Sequence, residues 1–198
     1  MCMVHYPSPW MDRESAVSDS RSHAKHGPVR WLPLAAIRPA MSPAWRRWVG
    51  SRDSLTLRLT EAGRPRPFRV HLIDQRTGAL RRDEAQALGL PTGRQAWQRE
   101  VALCLGETPW VVARSVAPLE GLPAHDLAHL GERSLGSWLF RQPDLERGEI
   151  EVTRDPAGFH EAHGPWGRRS VFHHGGFRVL VQEWFLDAMA DDLGLPSR

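Results

Sequence analysis

The chain has 198 residues, 41% of them apolar and 25% charged, with 26 basic against 23 acidic side chains and a formal charge of +3. That is ordinary globular usage in one domain or at most two small ones. It excludes a wholly disordered chain and gives no basic run for a polyanion, so no nucleic-acid partner is expected; its two cysteines alone cannot form a disulfide framework or a four-ligand zinc site. No stretch reaches the ~18 consecutive apolar residues of a membrane span, so a cytoplasmic protein without membrane insertion is expected. Lys25 is the only lysine. A GC-rich coding bias and planar recognition of carboxylates both give an arginine-dominated chain, and composition does not separate them.

Residues 1–40 carry Ser, His, Pro and Arg with little periodicity and no apolar core of a secretory signal. They are expected to form a flexible extension ahead of a single domain over 41–198. Ser42 and Pro43 open a short helix over Ala44–Val49, and Asp53 or Ser54 caps a second over Leu55–Glu61 that Gly63 stops. From Pro67 the period becomes two, with Phe68, Val70 and Leu72 on one side of a strand and Arg69 and His71 on the other. Residues 82–90 read as a connection with one helical turn. Gln95–Val116 reads as a hairpin about Gly106-Glu107. Asp126–Phe140 has a helical pattern interrupted by Gly131 and Ser134, Ile150–Thr153 is a short strand, and 156–165 is a loop of Gly, Pro and His. A second hairpin, Arg168–Leu186, turns at His174-Gly175-Gly176. Strands joined by hairpins predict an α+β domain whose mainly antiparallel sheet has about six strands with flanking helices.

Alternation then isolates three charges. Arg99 shares a strand face with Trp97, Val101, Leu103 and Leu105; Glu183 shares one with Phe177, Val179, Val181 and Phe185; Arg114 shares one with Trp110, Val112 and Val116. A buried charge is costly unless satisfied. Either Arg99 and Glu183 pair with each other, or the opposite faces are the buried ones, or the charges line a closed pocket for an anion. In that pocket Arg99 would hold a carboxylate and Glu183, in low dielectric, would carry or share a proton. Other candidates carry less. His160, His163, His173 and His174 read as solvated loop histidines rather than metal ligands, and Cys104 as a packing residue. Ser134 and Ser170 lack a nucleophile elbow, and no glycine-rich phosphate loop opens a helix.

Six segments in order complete the reading: Trp97-Gln98-Arg99-Glu100, Gly106-Glu107-Thr108-Pro109-Trp110, Arg114-Ser115-Val116-Ala117-Pro118, Leu130-Gly131 leading to Ser134-Leu135-Gly136, Trp166-Gly167-Arg168-Arg169-Ser170, and Gln182-Glu183-Trp184-Phe185-Leu186. Together they resemble the chorismate pyruvate-lyase family over roughly Ala44 to Leu186. The resemblance implies a mainly antiparallel sheet with an internal site under two flaps, no metal or cofactor, and elimination of pyruvate from chorismate to give 4-hydroxybenzoate for ubiquinone synthesis. It implies that Arg99 holds the ring carboxylate and that Glu183 meets the oxygen at the other end of the ring. Main-chain groups of Leu55 and Leu135 complete the site that the resemblance implies; separately from it, Arg114 is expected to receive the side-chain carboxylate. A monomer is expected. The alternative is a non-catalytic domain of the same fold that binds a small aromatic carboxylate as sensor or carrier.

Overall fold

Ser42 caps the first helix as its position predicts: its Oγ accepts from the Trp45 amide at 3.2 Å, with Pro43 in the first turn of α1 (Pro43–Val49). Ser54 does the same for α2 (Leu55–Ala62). The computed structural model describes residues 29–37, 40–122, 127, 130–159 and 163–196. Across them run strands β1 (Leu32–Pro33), β2 (Phe68–Ala79), β3 (Gln95–Leu105), β4 (Thr108–Pro118), β5 (Glu146–Arg147), β6 (Glu151–Thr153), β7 (Trp166–His174) and β8 (Phe177–Phe185). The further helices are α3 (Arg82–Leu88), α4 (Leu135–Leu139) and α5 (Asp187–Asp192).

The expected fold class is the one observed. All strands join one antiparallel sheet of eight, in the order β1-β6-β7-β8-β4-β3-β2 with β5 beside β7. The two strands beyond the expected six, β1 and β5, have two residues each, too short for alternation to reveal. Both expected hairpins form. Gly106, at φ +60°, supplies the left-handed residue of the first turn. Gly167, in the Trp-Gly-Arg-Arg segment, lies so close to Trp184 that an added Cβ would come within 2.8 Å of its Nε1.

Three local expectations change. Residues 82–88 form a full helix, because the Glu84 carboxylate accepts from the Arg81 amide at 3.0 Å and closes its first turn. The helical pattern over 126–140 shortens to α4, where Ser134 is the N-cap rather than an interruption, its Oγ accepting from Ser137 N at 3.3 Å; residues 126, 128 and 129 lie outside the described ones. The packed chain also starts before Met41. Leu32 and Pro33 pair with β6, Trp31 stacks edge-on against Trp184, and Leu34 and Ile37 pack on the core. Residues 1–28, expected to be an extension, lie outside the described ones.

Register separates the two sheet faces. On one, Val70, Val101, Leu103, Val111 and Phe185 pack with α1, α2 and α5 at one end, and Trp97, Ala117, Phe172 and Val179 pack with α4 at the other. On the opposite face Ala102, Val112 and Trp184 form one cluster, and Leu80, Ala96, Val116 and Leu180 form another with α3. On both faces a polar row crosses the sheet between the two clusters. An irregularity in β3–β4 pairing at Leu103/Cys104 moves Trp110 into the cluster of Val111 rather than that of Val112. Among the described residues no helix is long and apolar enough to cross a membrane.

Candidate active site

The first polar row carries Arg99. Across the strands, Gln75 pairs with Arg99, Arg99 with Ser115, Ser115 with Val181 and Val181 with Ser170. The next row runs Leu72, Val101, Ala113, Glu183, Arg168. Residues directly opposite in a ladder point to the same face. Arg99 and Glu183 therefore share a face, two strands and one row apart, with Cα atoms about 12 Å from each other by strand spacing and rise. They line a small cavity of about 50 Å³ with Leu55, Leu135, Arg147 and Arg168.

Arg99 and Glu183 do not pair with each other. Arg99 is 2% exposed, and its guanidinium donates only to neutral oxygens: Gln75 Oε1 at 3.1 Å, Gly131 O at 2.8 Å and Arg133 O at 3.0 Å. Among the described residues it has no carboxylate partner, and burial alone pushes its pKa down. That is a buried cation held in position with its countercharge missing. Glu183 instead accepts from Arg168 Nε at 2.6 Å. Arg168 Nη1 also donates to the carbonyls of Trp48, Val49 and Ser51 at the end of α1. The apolar setting expected for Glu183 is thus corrected to an ionic one, and a carboxylate ion-paired in this way is placed to accept rather than to donate.

Leu55 and Leu135 are the first residues of α2 and α4, where the amide has no acceptor within its own helix. Thr56 Oγ1 and Ser134 Oγ lie 2.7 Å apart and join the two helix starts over the cavity. Both residues also border a larger open concavity, about 930 Å³, around the β2 edge. That concavity contains Cys104, whose thiol burial and then Glu107 push up to about 11. It offers no thiolate, and the charges that alternation singled out, Arg99 and Glu183, line the smaller cavity.

Arg114 is the residue the sequence misplaced. It lies on the opposite face, in a row that pairs Glu100 with Arg114, Arg114 with Gln182, Gln182 with Arg169 and Arg169 with Glu151. Its Nε donates to Glu84 Oε1 at 2.6 Å and its Nη1 to Glu100 Oε1 at 2.6 Å. Gln182 Nε2 adds a bond to Glu84 at 2.9 Å. The expected contact with a side-chain carboxylate is therefore corrected: the guanidinium is fully paired and does not border the cavity. Among the described residues no group of three or more His, Cys, Asp or Glu side chains is arranged to hold a metal ion; His160 lies outside them.

The chorismate lyase family model matches residues 27–191. The chain belongs to the chorismate lyase family. A probable chorismate pyruvate-lyase of Chromohalobacter salexigens is 61% identical over 173 residues, covering 85% of this chain and 94% of that relative. A probable chorismate pyruvate-lyase of Pseudomonas aeruginosa is 45% identical over 171 residues, covering 83% and 95%. The effector domain of PhnF from Mycobacterium smegmatis shares the fold at a TM-score of 0.50 and 14% identity, over 68% of this chain and 89% of that one. The family match begins at residue 27, in keeping with a packed chain that starts before Met41. Within this family member, sequence reasoning missed Arg147, Arg168 and Glu84 as site or network residues. Arg168 stood in a quoted segment, and its place opposite Glu183 in the second hairpin was the available signal. Arg147 lay in a two-residue strand that gave no signal.

Proposed function

We propose that the protein eliminates pyruvate from chorismate to give 4-hydroxybenzoate, acting as a monomer in the cytoplasm and supplying ubiquinone synthesis. The observation that carries this reading is a buried Arg99 with no carboxylate partner among the described residues at one end of a small cavity, and an Arg168–Glu183 pair toward the other. An aromatic ring with a carboxylate at one end and an oxygen opposite fits between them. The curated relatives bear the same activity in their names.

Chorismate carries a ring carboxylate, a hydroxyl opposite it and, on the carbon beside that hydroxyl, an enolpyruvyl ether. In the proposed reaction the C–H bond at the hydroxyl-bearing carbon and the neighbouring C–O bond break. The C–H electron pair becomes the last ring double bond, and the C–O pair leaves on enolpyruvate, which takes a proton at its methylene carbon to become pyruvate. Aromatisation drives the step, so the protein supplies orientation and charge placement. Arg99 holds the ring carboxylate, and the main-chain groups of Leu55 and Leu135 border the ring. Glu183, fixed by Arg168, accepts from the ring hydroxyl and lies beside the departing proton.

Purified protein incubated with chorismate should form 4-hydroxybenzoate and pyruvate in equal amounts by chromatography. Saturable binding of 4-hydroxybenzoate without turnover would make this a binding domain instead. Glu183→Gln should lower kcat by about 10²–10⁴-fold, the range of a positioned proton acceptor, with little change in KM. An unchanged kcat would remove Glu183 from the chemistry.

A further inference from the structure

With Arg114 on the far face, the substrate's second carboxylate needs another cation. The charged side chains bordering the cavity are Arg99, Arg147, Arg168, Glu183 and the exposed Asp53. Arg168 and Glu183 neutralise each other at 2.6 Å. Two guanidiniums remain for a substrate with two carboxylates, and Arg99 takes the first. We propose that Arg147 receives the carboxylate of the enolpyruvyl side chain; this rests on the lyase reading above.

Position supports the assignment. Arg147 pairs with Phe172 across β5–β7, two residues beyond Ser170 of the Arg99 row and away from Arg168 along β7, but its guanidinium reaches back to the Arg168–Glu183 pair, since the Ser51 carbonyl accepts from both Arg147 and Arg168. The enolpyruvyl group leaves from the carbon beside the ring hydroxyl, and that hydroxyl faces Glu183. The guanidinium is held but not neutralised. Its Nε donates to Ser170 Oγ at 3.1 Å and its Nη1 to Ser51 O at 3.1 Å, and the group lies 5.1 Å from the centre of the Phe172 ring. Among the described residues Nη2 makes no hydrogen bond and no carboxylate pairs with Arg147. Burial, then the nearby charge of Arg168, pushes its pKa down to about 10, so it remains a cation at neutral pH. A fixed, half-buried guanidinium with an uncommitted terminal nitrogen suits a carboxylate that is present in the substrate and lost with the pyruvate.

The product keeps only the ring carboxylate, which separates this role from a structural one. The test measures kcat/KM for chorismate, the binding constant of 4-hydroxybenzoate and the melting temperature for the unaltered protein, Arg147→Gln and Arg147→Lys. The expected result for Arg147→Gln is a fall in kcat/KM of about 10–100-fold, the usual loss for a hydrogen bond to a charged group. Binding of 4-hydroxybenzoate should stay within about threefold, and Arg147→Lys, which keeps the charge, should recover part of the loss. Unchanged kcat/KM in Arg147→Gln would overturn the inference. So would an equal weakening of 4-hydroxybenzoate binding, or a melting temperature lowered alike in both variants with activity falling in step, since those mark a structural role. No turnover by the unaltered protein would overturn the lyase reading and this inference together, whereas turnover with an indifferent Arg147 would overturn the inference alone.

Discussion

Arg99→Ala is expected to lower kcat/KM for chorismate and the affinity for 4-hydroxybenzoate together, each by about 10²–10³-fold or more. Without the guanidinium the ring carboxylate is stranded in a dry site, a loss of about 3–5 kcal/mol. Substrate and product share the ring carboxylate, so both should suffer, in contrast to the expectation for Arg147. Stability should move little. The substitution removes a guanidinium that is 2% exposed and has no carboxylate partner among the described residues, a standing cost to the folded protein. It also removes the bonds to Gln75, Gly131 and Arg133, which favoured the fold, and the two effects oppose. Arg99→Lys should restore only part of the activity, because a point charge cannot replace the planar fork against a carboxylate. Turnover assays and calorimetric titration with 4-hydroxybenzoate check this. Near-normal values for Arg99→Ala would remove Arg99 from the site.

Much of the fold was legible because its long strands alternate cleanly. The two hairpins, β3–β4 and β7–β8, carry the centre of the sheet and were found with their turns. The same alternation placed Arg99 and Glu183 as charges on apolar faces. It could not say which charges face each other, because β3 and β4 are buried on both sides. Arg114 looked like Arg99 for that reason: each is a lone charge among apolar neighbours on its own strand. What distinguishes them is the partner across space. Arg114 meets Glu84 from α3, a helix read as a connection, and Glu100 from the neighbouring strand. Among the described residues Arg99 meets only amide oxygens. The arginine-rich composition has a positional reading at last. Among the described residues Arg99 and Arg147 border the cavity without a carboxylate partner, while Arg114, Arg168 and Arg169 are spent on internal carboxylates.

Arg114→Met is expected to lower stability by about 3–5 kcal/mol, the usual penalty for removing one partner of a buried ionic group. It strands Glu84, which is fully buried, and Glu100 on a face that α3 covers. Because the arginine does not border the cavity, KM for chorismate should stay within a few-fold at temperatures where the variant is folded. The same network sets the acid limb of stability. Burial opposes the charge on Glu84, but the Arg114 bond and charge, the Arg81 amide and the Arg81 charge outweigh it, and the carboxyl is held below its ordinary value. A depressed folded-state pKa means that the unfolded chain binds the proton first as pH falls. The stabilisation is therefore complete above the unfolded value, about 4.3, and is lost as pH drops through the lower folded one. Denaturant titrations from neutral pH to pH 3 should show this fall in the unaltered protein and a shallower one in Glu84→Gln, which has no carboxyl to protonate. Parallel acid limbs in the two proteins would place the acid sensitivity elsewhere. A loss under about 1 kcal/mol for Arg114→Met, the level of an exposed pair, would mean that apolar packing of Leu80, Ala85 and Leu88, rather than the charge row, holds α3 to the sheet.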